Sequence, residues 1–141
     1  MTGKRAVLFV CVENSCRSLM AEAIFNADPP NGWIANSAGT QPARQANGRT
    51  APMLREIGVE MPEHPPQRLT DEAIDGASIR ITMGCLDHQS CPARLRGGRL
   101  TDWELPDPAN LDDAAFRGVR DEIRRRVAAL RDEIESGASA Q

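Results

Sequence analysis

Tyrosine is absent from the chain, and three phenylalanines and two tryptophans leave it poor in aromatic rings. Long runs of like charge, internal repeats and low-complexity segments are missing as well. Seventeen basic residues against twenty acidic ones give a formal charge of -3. That balance argues against a nucleic-acid binder, while leaving room for a local anion site. The apolar run near the N-terminus is far too short to span a membrane and has no small-residue cleavage site. No membrane association and no secretion are therefore expected, and a cytoplasmic location is. At 141 residues the chain is most simply one domain, residues 1–135. The last residues, Ser136-Gly137-Ala138-Ser139-Ala140-Gln141, read as a disordered tail.

What the chain does have is four cysteines in two pairs, Cys11 with Cys16 and Cys85 with Cys91. Without a secretion signal they are expected to stay reduced or to cycle, rather than to form a structural disulfide framework. Cys11 ends the abruptly terminated apolar stretch Val7-Leu8-Phe9-Val10. That position raises three possibilities for its thiol: packing, metal binding or nucleophilic attack.

Ala6 to Val10 has the length and continuous apolarity of a parallel strand covered on both faces. Met20, Ala23, Ile24 and Ala27 follow at helical spacing, and Pro29-Pro30 ends that helix. Trp33 to Ser37 predicts a second strand, and Met53, Leu54 and Ile57 predict a helix that stops at Gly58. A short helix over Leu69 to Ile74, a third strand over Ser78 to Met83 and a fourth over Arg99 to Asp102 come next. Phe116, Val119, Ile123, Val127, Leu130 and Ile134 mark a C-terminal helix whose charged opposite face is ordinary solvated surface. Strands alternating with helices predict a three-layer α/β fold, with a parallel sheet between helices. In such sheets ligands bind beyond the carboxyl ends of the strands. Cys11 and Cys85 both follow predicted strands and belong to that edge.

Cys11 and Arg17 stand at C-x5-R spacing between a strand and a helix. A loop of this length can turn successive backbone N–H groups inward to form a nest for a tetrahedral anion. Val12, Glu13, Asn14, Ser15, Cys16, Arg17 and Ser18 would then surround the oxyanion. The following helix N-terminus adds partial positive charge, and the Arg17 guanidinium can grip two oxygens. The same field lowers a cysteine pKa from about 8.5 into a range of roughly 4 to 7.5. Asn14, Ser15 and Ser18 offer short side chains to hold the loop and the thiolate. A lone cysteine at a strand end is more often a small buried hydrophobe. The C-x5-R spacing is common by chance, and the strand before it and helix after it make it specific.

On these residues the sequence resembles the low-molecular-weight protein tyrosine phosphatase superfamily. Within it, CVENSCRSLMAEA is similar to the arsenate reductases that share the phosphatase fold. The resemblance continues through Asn36-Ser37-Ala38-Gly39-Thr40, the segment from Met83-Gly84-Cys85 to Cys91-Pro92, and Asp102-Trp103-Glu104-Leu105-Pro106-Asp107-Pro108. It implies a four-stranded parallel sheet flanked by helices. It also implies Asp107 as the general acid for the departing oxygen, with Asp102 the weaker candidate. The phosphatases usually carry aromatic residues after that aspartate, whereas Pro108-Ala109-Asn110 follows here. An aromatic ester would find little to stack on, and arsenate would lose nothing.

Cys85-Leu86-Asp87-His88-Gln89-Ser90-Cys91 exceeds what a simple phosphatase needs. Cys85, His88 and Cys91 could ligate zinc, but a structural site wants a fourth ligand and none is nearby. Two unrelated buried thiols are another reading. The reductase resemblance points instead to a relay from Cys11 to Cys85 to Cys91, with arsenate as substrate and no cofactor or metal. Thioredoxin is the implied reductant, with mycothiol or glutathione as alternatives. Competing functions are a phosphatase whose Cys11 and Cys16 form a protective disulfide, and a non-catalytic redox sensor. Two departures stand out. Glu13 replaces a frequent glycine in the loop, where a carboxylate weakens anion binding unless it points outward. Asn14, Glu22 and Ser37 match a potassium site found in some members, while His64-Pro65-Pro66-Gln67 does not.

Overall fold

The computed structural model describes residues 5–84, 95 and 100–137. Cys85, His88, Cys91 and most of the expected tail lie outside the described residues. Four strands form one sheet in the order β2-β1-β3-β4, every pairing parallel. They are β1 (Arg5–Cys11), β2 (Trp33–Gly39), β3 (Ile79–Thr82) and β4 (Leu100–Asp102). The helices are α1 (Arg17–Ala27), α2 (Thr50–Arg55), α3 (Asp71–Gly76) and α4 (Asp113–Glu135).

β1 is central and buried on both faces, which is why its sequence is apolar without alternation. Val7, Phe9 and Cys11 face one core with α1 and α4, where Phe25, Phe116, Ile123 and Val127 pack. Leu8 and Val10 face a smaller core on the other side, with Ile74 of α3 and Leu95. Helices thus cover both faces of the sheet, as the alternation of elements predicts. The chain leaves β1 toward β2 on one side and β3 toward β4 on the other, so the strand order reverses between β1 and β3. Cys11 and Gly84 sit at the carboxyl ends of those two strands, beside the crevice that such a reversal opens.

Several boundaries differ from the sequence expectation. α2 stops at Arg55, because Gly58 adopts a left-handed φ of 76° and the Val59 N–H returns to the Leu54 carbonyl. Pro52 falls in the first turn of α2, where its missing N–H costs no helical bond. A 3-10 turn over Pro108–Asn110, not anticipated, is capped by the Asp107 side chain, which accepts from the Ala109 N–H.

Candidate active site

Cys11 is buried at the end of β1 and lines a cavity of about 440 Å³. Residues 12–16 fold back over that end as a tight loop, with Asn14 in a left-handed conformation at φ 52°. Four carbonyls of this stretch are taken up by N–H groups outside the loop. Those of Cys11, Val12, Glu13 and Ser15 accept from the N–H groups of Thr40, Gln41, Ala43 and Asn47. A planar peptide unit sends its N–H opposite to its carbonyl. The units joining Val12 to Glu13, Glu13 to Asn14 and Ser15 to Cys16 therefore turn their N–H groups toward the cavity side. The Asn14 N–H already donates to Cys11 Sγ at 3.2 Å. Peptide units turned this way form a concave set of donors of the kind that can hold a tetrahedral anion.

Gly39 forms the floor beneath the loop. A Cβ there would lie 2.4 Å from the Val12 carbonyl oxygen and 3.0 Å from the Asn14 nitrogen. Gly84 is needed for the same reason on the opposite wall: its φ is 79°, and a Cβ would come within 2.5 Å of Glu104 Cα.

Ser18 in the first turn of α1 lies 2.9 Å from Cys11 Sγ, close enough for its hydroxyl to donate to a thiolate. Asn14 Nδ2 donates to Ser18 Oγ at 2.7 Å and to Ser37 Oγ at 2.9 Å, which leaves the Ser18 proton for the sulfur. Arg17 is buried, with Nη1 donating to the carbonyls of Met83 at 3.1 Å and Leu105 at 2.9 Å. Its Nη2 approaches Asp107 Oδ2 at 3.7 Å, and its buried Nε has no partner among the described residues. A guanidinium so anchored, with a donor left over beside the cavity, is equipped to grip an oxyanion.

Of the two described thiols, Cys16 is the one that burial holds protonated. Burial first, then the charges of Asp107 and Cys11, push the Cys16 thiol up to about 12. Cys16 therefore stays protonated, its Sγ 3.8 Å from Asp107 Oδ1. Asp107 is half exposed on the rim of the cavity, between Pro106 and the 3-10 turn. Asp102 instead accepts from Thr82 Oγ1 at 3.0 Å and is not among the lining residues. Glu13 also lines the cavity, and it is exposed to solvent. No aromatic side chain is among the described residues that line it.

Behind the loop runs a second network. His64 Nε2 lies 2.9 Å from both oxygens of buried Glu22, and Ser37 Oγ donates to Glu22 Oε1 at 2.5 Å. Asn14 Oδ1 accepts from the Gln67 N–H at 2.9 Å. The oxygens that a potassium ion would need are thus already committed, and an imidazole stands against the carboxylate. These residues do not fit the ion. No group of three or more His, Cys, Asp or Glu among the described residues could hold a metal.

Arg49 and Thr50 were not singled out by sequence, yet both hold the site. Thr50 Oγ1 donates to the Ser15 carbonyl at 2.9 Å, while Arg49 reaches the carbonyls of Pro108 and Ala109 at 3.1 and 3.0 Å. Nothing local marks either residue, because each partner lies far away along the chain.

The low molecular weight phosphotyrosine protein phosphatase family matches residues 6–140. The chain belongs to this family. Among its relatives, an arsenate reductase of Halalkalibacterium halodurans is 31% identical over 130 residues, covering 88% of this chain and 93% of that protein. The solved arsenate reductase of Archaeoglobus fulgidus is 35% identical with a TM-score of 0.75, covering 90% of this chain and 99% of that one. A thioredoxin-dependent arsenate reductase of Corynebacterium glutamicum is 32% identical with a TM-score of 0.80. That match covers 96% of this chain and 64% of the other. The four-stranded parallel sheet described above is the phosphatase-family fold, and the C-x5-R loop sits at the same edge of it as the sequence predicts.

Proposed function

We propose that this phosphatase-family chain is a thiol-dependent arsenate reductase. The observation that carries the reading is the loop itself. Four of its carbonyls are satisfied by N–H groups outside it, the amides of those peptide units turn inward, and Arg17, whose buried Nε has no partner among the described residues, lines the same cavity as Cys11. A tetrahedral oxyanion meets donors there on several sides. The absence of an aromatic wall among the described lining residues favours a small inorganic oxyanion over an aromatic ester.

In this reading the Cys11 thiolate, held by the Ser18 hydroxyl and the Asn14 N–H, attacks arsenic. Asp107 protonates the oxygen that leaves as water. The Cys85 thiol then attacks Cys11 sulfur, and the electron pair of the S–As bond stays on arsenic, which departs as arsenite. Cys91 attacks Cys85, restoring the Cys11 thiol and leaving a Cys85–Cys91 disulfide for an external dithiol. Two thiols lose two electrons in all, and arsenic gains both. Thioredoxin is the reductant of choice, supported by the thioredoxin-dependent relative. A relay that must begin reduced belongs in a reducing compartment, the cytoplasm. No described helix is long and apolar enough to cross a membrane.

A phosphatase is the second reading, favoured by the family match. The deciding assay is arsenite formation with thioredoxin, thioredoxin reductase and NADPH, run beside p-nitrophenyl phosphate hydrolysis. Arsenite turnover that outpaces ester cleavage supports the reductase. Ester cleavage without arsenite assigns the phosphatase, and turnover only with mycothiol or glutathione replaces the reductant.

A further inference from the structure

Arg49 lies outside the cavity, yet its guanidinium is spent almost entirely on the loop that carries Asp107. Nη2 donates to the carbonyls of Pro108 at 3.1 Å and Ala109 at 3.0 Å. Nη1 donates to the Leu111 carbonyl at 2.7 Å and to Asp113 Oδ1 at 3.2 Å. The guanidinium carbon also rests 4.7 Å from the ring centroid of buried Phe116. Three of these acceptors are carbonyls where a short 3-10 turn ends, and that of Pro108 also accepts from the Leu111 N–H at 3.0 Å.

The same short segment grips the nucleophile loop. The Asn47 N–H and Thr50 Oγ1 both donate to the Ser15 carbonyl, at 3.0 and 2.9 Å, and Asn47 Oδ1 accepts from the Arg49 N–H at 2.9 Å. Residues 47–50 therefore bridge the loop that holds the thiolate and the loop that holds the acid. Past the Leu105 N–H, which donates to Met83 O, the acid loop has no ladder partner among the described residues until α4 begins. Arg17 and Cys16 reach the Asp107 side chain across this gap at 3.7 and 3.8 Å, and among the described residues Arg49 holds the backbone that follows it.

We propose that Arg49 is a positioning residue for Asp107, fixing the carboxyl over the Cys11 side of the cavity at the moment of proton transfer. The proposal rests on the reading of Asp107 as the general acid. An acid contributes about 10²–10⁴ in rate, and a misplacement near 1 Å forfeits about 10² of such an advantage. Arg49→Met keeps an apolar stem over Phe116 and removes every donor.

The test uses aryl phosphates of graded leaving-group basicity, with inorganic phosphate as the competing oxyanion. Arg49→Met is expected to slow cleavage by about 10- to 10²-fold for basic leaving groups, which need the acid, and by less than about twofold for acidic ones. The inhibition constant for phosphate should stay within about twofold. In an Asp107→Asn background, Arg49→Met should cost nothing further, because the group it positions is already disabled. An equal loss for every leaving group, weakened phosphate binding, or additive losses in the double variant would overturn the proposal. Hydrogen exchange supplies a readout that needs no turnover. The Ala109 and Leu111 amides should exchange faster in Arg49→Met while those of Phe9 and Leu54 stay protected. Unchanged exchange at the loop overturns the clamp. Absence of both aryl phosphate cleavage and arsenite formation by the unaltered protein refutes instead the reading of the site as an enzyme.

Discussion

Replacing Gly39 with alanine perturbs the anion loop without touching a residue that meets the oxyanion. The added Cβ would lie 2.4 Å from the Val12 oxygen, 3.0 Å from the Asn14 nitrogen and 3.1 Å from the Glu13 carbonyl carbon, against 3.4–4 Å for ordinary contact. All three are backbone atoms, so no side chain can swing aside. β2 cannot yield easily either: the Gly39 N–H donates to Gln67 O and its carbonyl accepts from the Leu69 N–H. The loop must therefore retreat by about 1 Å, which is enough to cost about 10²-fold where alignment sets the rate. Overpacking of this kind also costs roughly 1–3 kcal/mol of stability, which a domain of this size survives. Calorimetric titration with inorganic phosphate and single-turnover arsenite formation would measure the two effects. Gly39→Ala should fold, lose phosphate affinity and slow the first step by about 10². A folded variant with both quantities within twofold of the parent would refute the idea that Gly39 sets the height of the nest.

Asp107→Asn should keep phosphate affinity within a few-fold and slow Cys11 adduct formation by roughly 10²–10⁴, read by rapid quench; an unchanged rate would move the acid elsewhere. With the Cys16 thiol pushed up to about 12, its thiolate is scarce at pH 8. Peptide mapping after brief iodoacetamide treatment should therefore find Cys11 modified well ahead of Cys16, and equal labelling would contradict the contrast drawn between them. At His64, burial lowers the pKa, but the Pro65 carbonyl, the hydrogen bond that His64 donates to Glu22 and the Glu22 charge together raise it above 6.5. A raised folded pKa means the imidazolium stabilises fully below the unfolded value and loses that contribution as pH rises through the folded one. Urea midpoints taken from about pH 6 to about pH 9 should fall across that window, and the step should vanish in His64→Gln. Parallel profiles would show that the His64–Glu22 pair carries no such linkage.

The parts of this molecule legible in its sequence are those fixed by local pattern. Val7 to Val10 reads as a doubly covered strand because both of its faces meet a core. The repeat from Phe116 to Ile134 reads as a helix because one stripe of α4 is buried and the other is not. The C-x5-R loop could be placed because a strand precedes it and a helix follows. Less legible were features created by distant partners. The 3-10 turn after Asp107 depends on a side-chain cap that an Asp-Pro pair does not announce. The roles of Arg49 and Thr50 rest on carbonyls in other loops. Glu13 could be recognised as a departure from a common glycine, but its exposure follows from how the loop lies on Gly39. Cys85 and Cys91 could be nominated from their pairing, and they lie outside the described residues.

The most direct test of the account counts arsenite released per enzyme by Cys91→Ser. If Cys11 attacks arsenate and Cys85 resolves the adduct, this variant completes one chemical cycle and cannot pass its disulfide outward. Rapid-quench analysis with thioredoxin, its reductase and NADPH present should find about one arsenite per enzyme and then a stall. Peptide mapping of the stalled protein should find Cys11 joined to Cys85. Sustained thioredoxin-driven turnover by Cys91→Ser would contradict the three-thiol relay, and no arsenite at all from the parent chain under the same conditions would contradict the reductase itself.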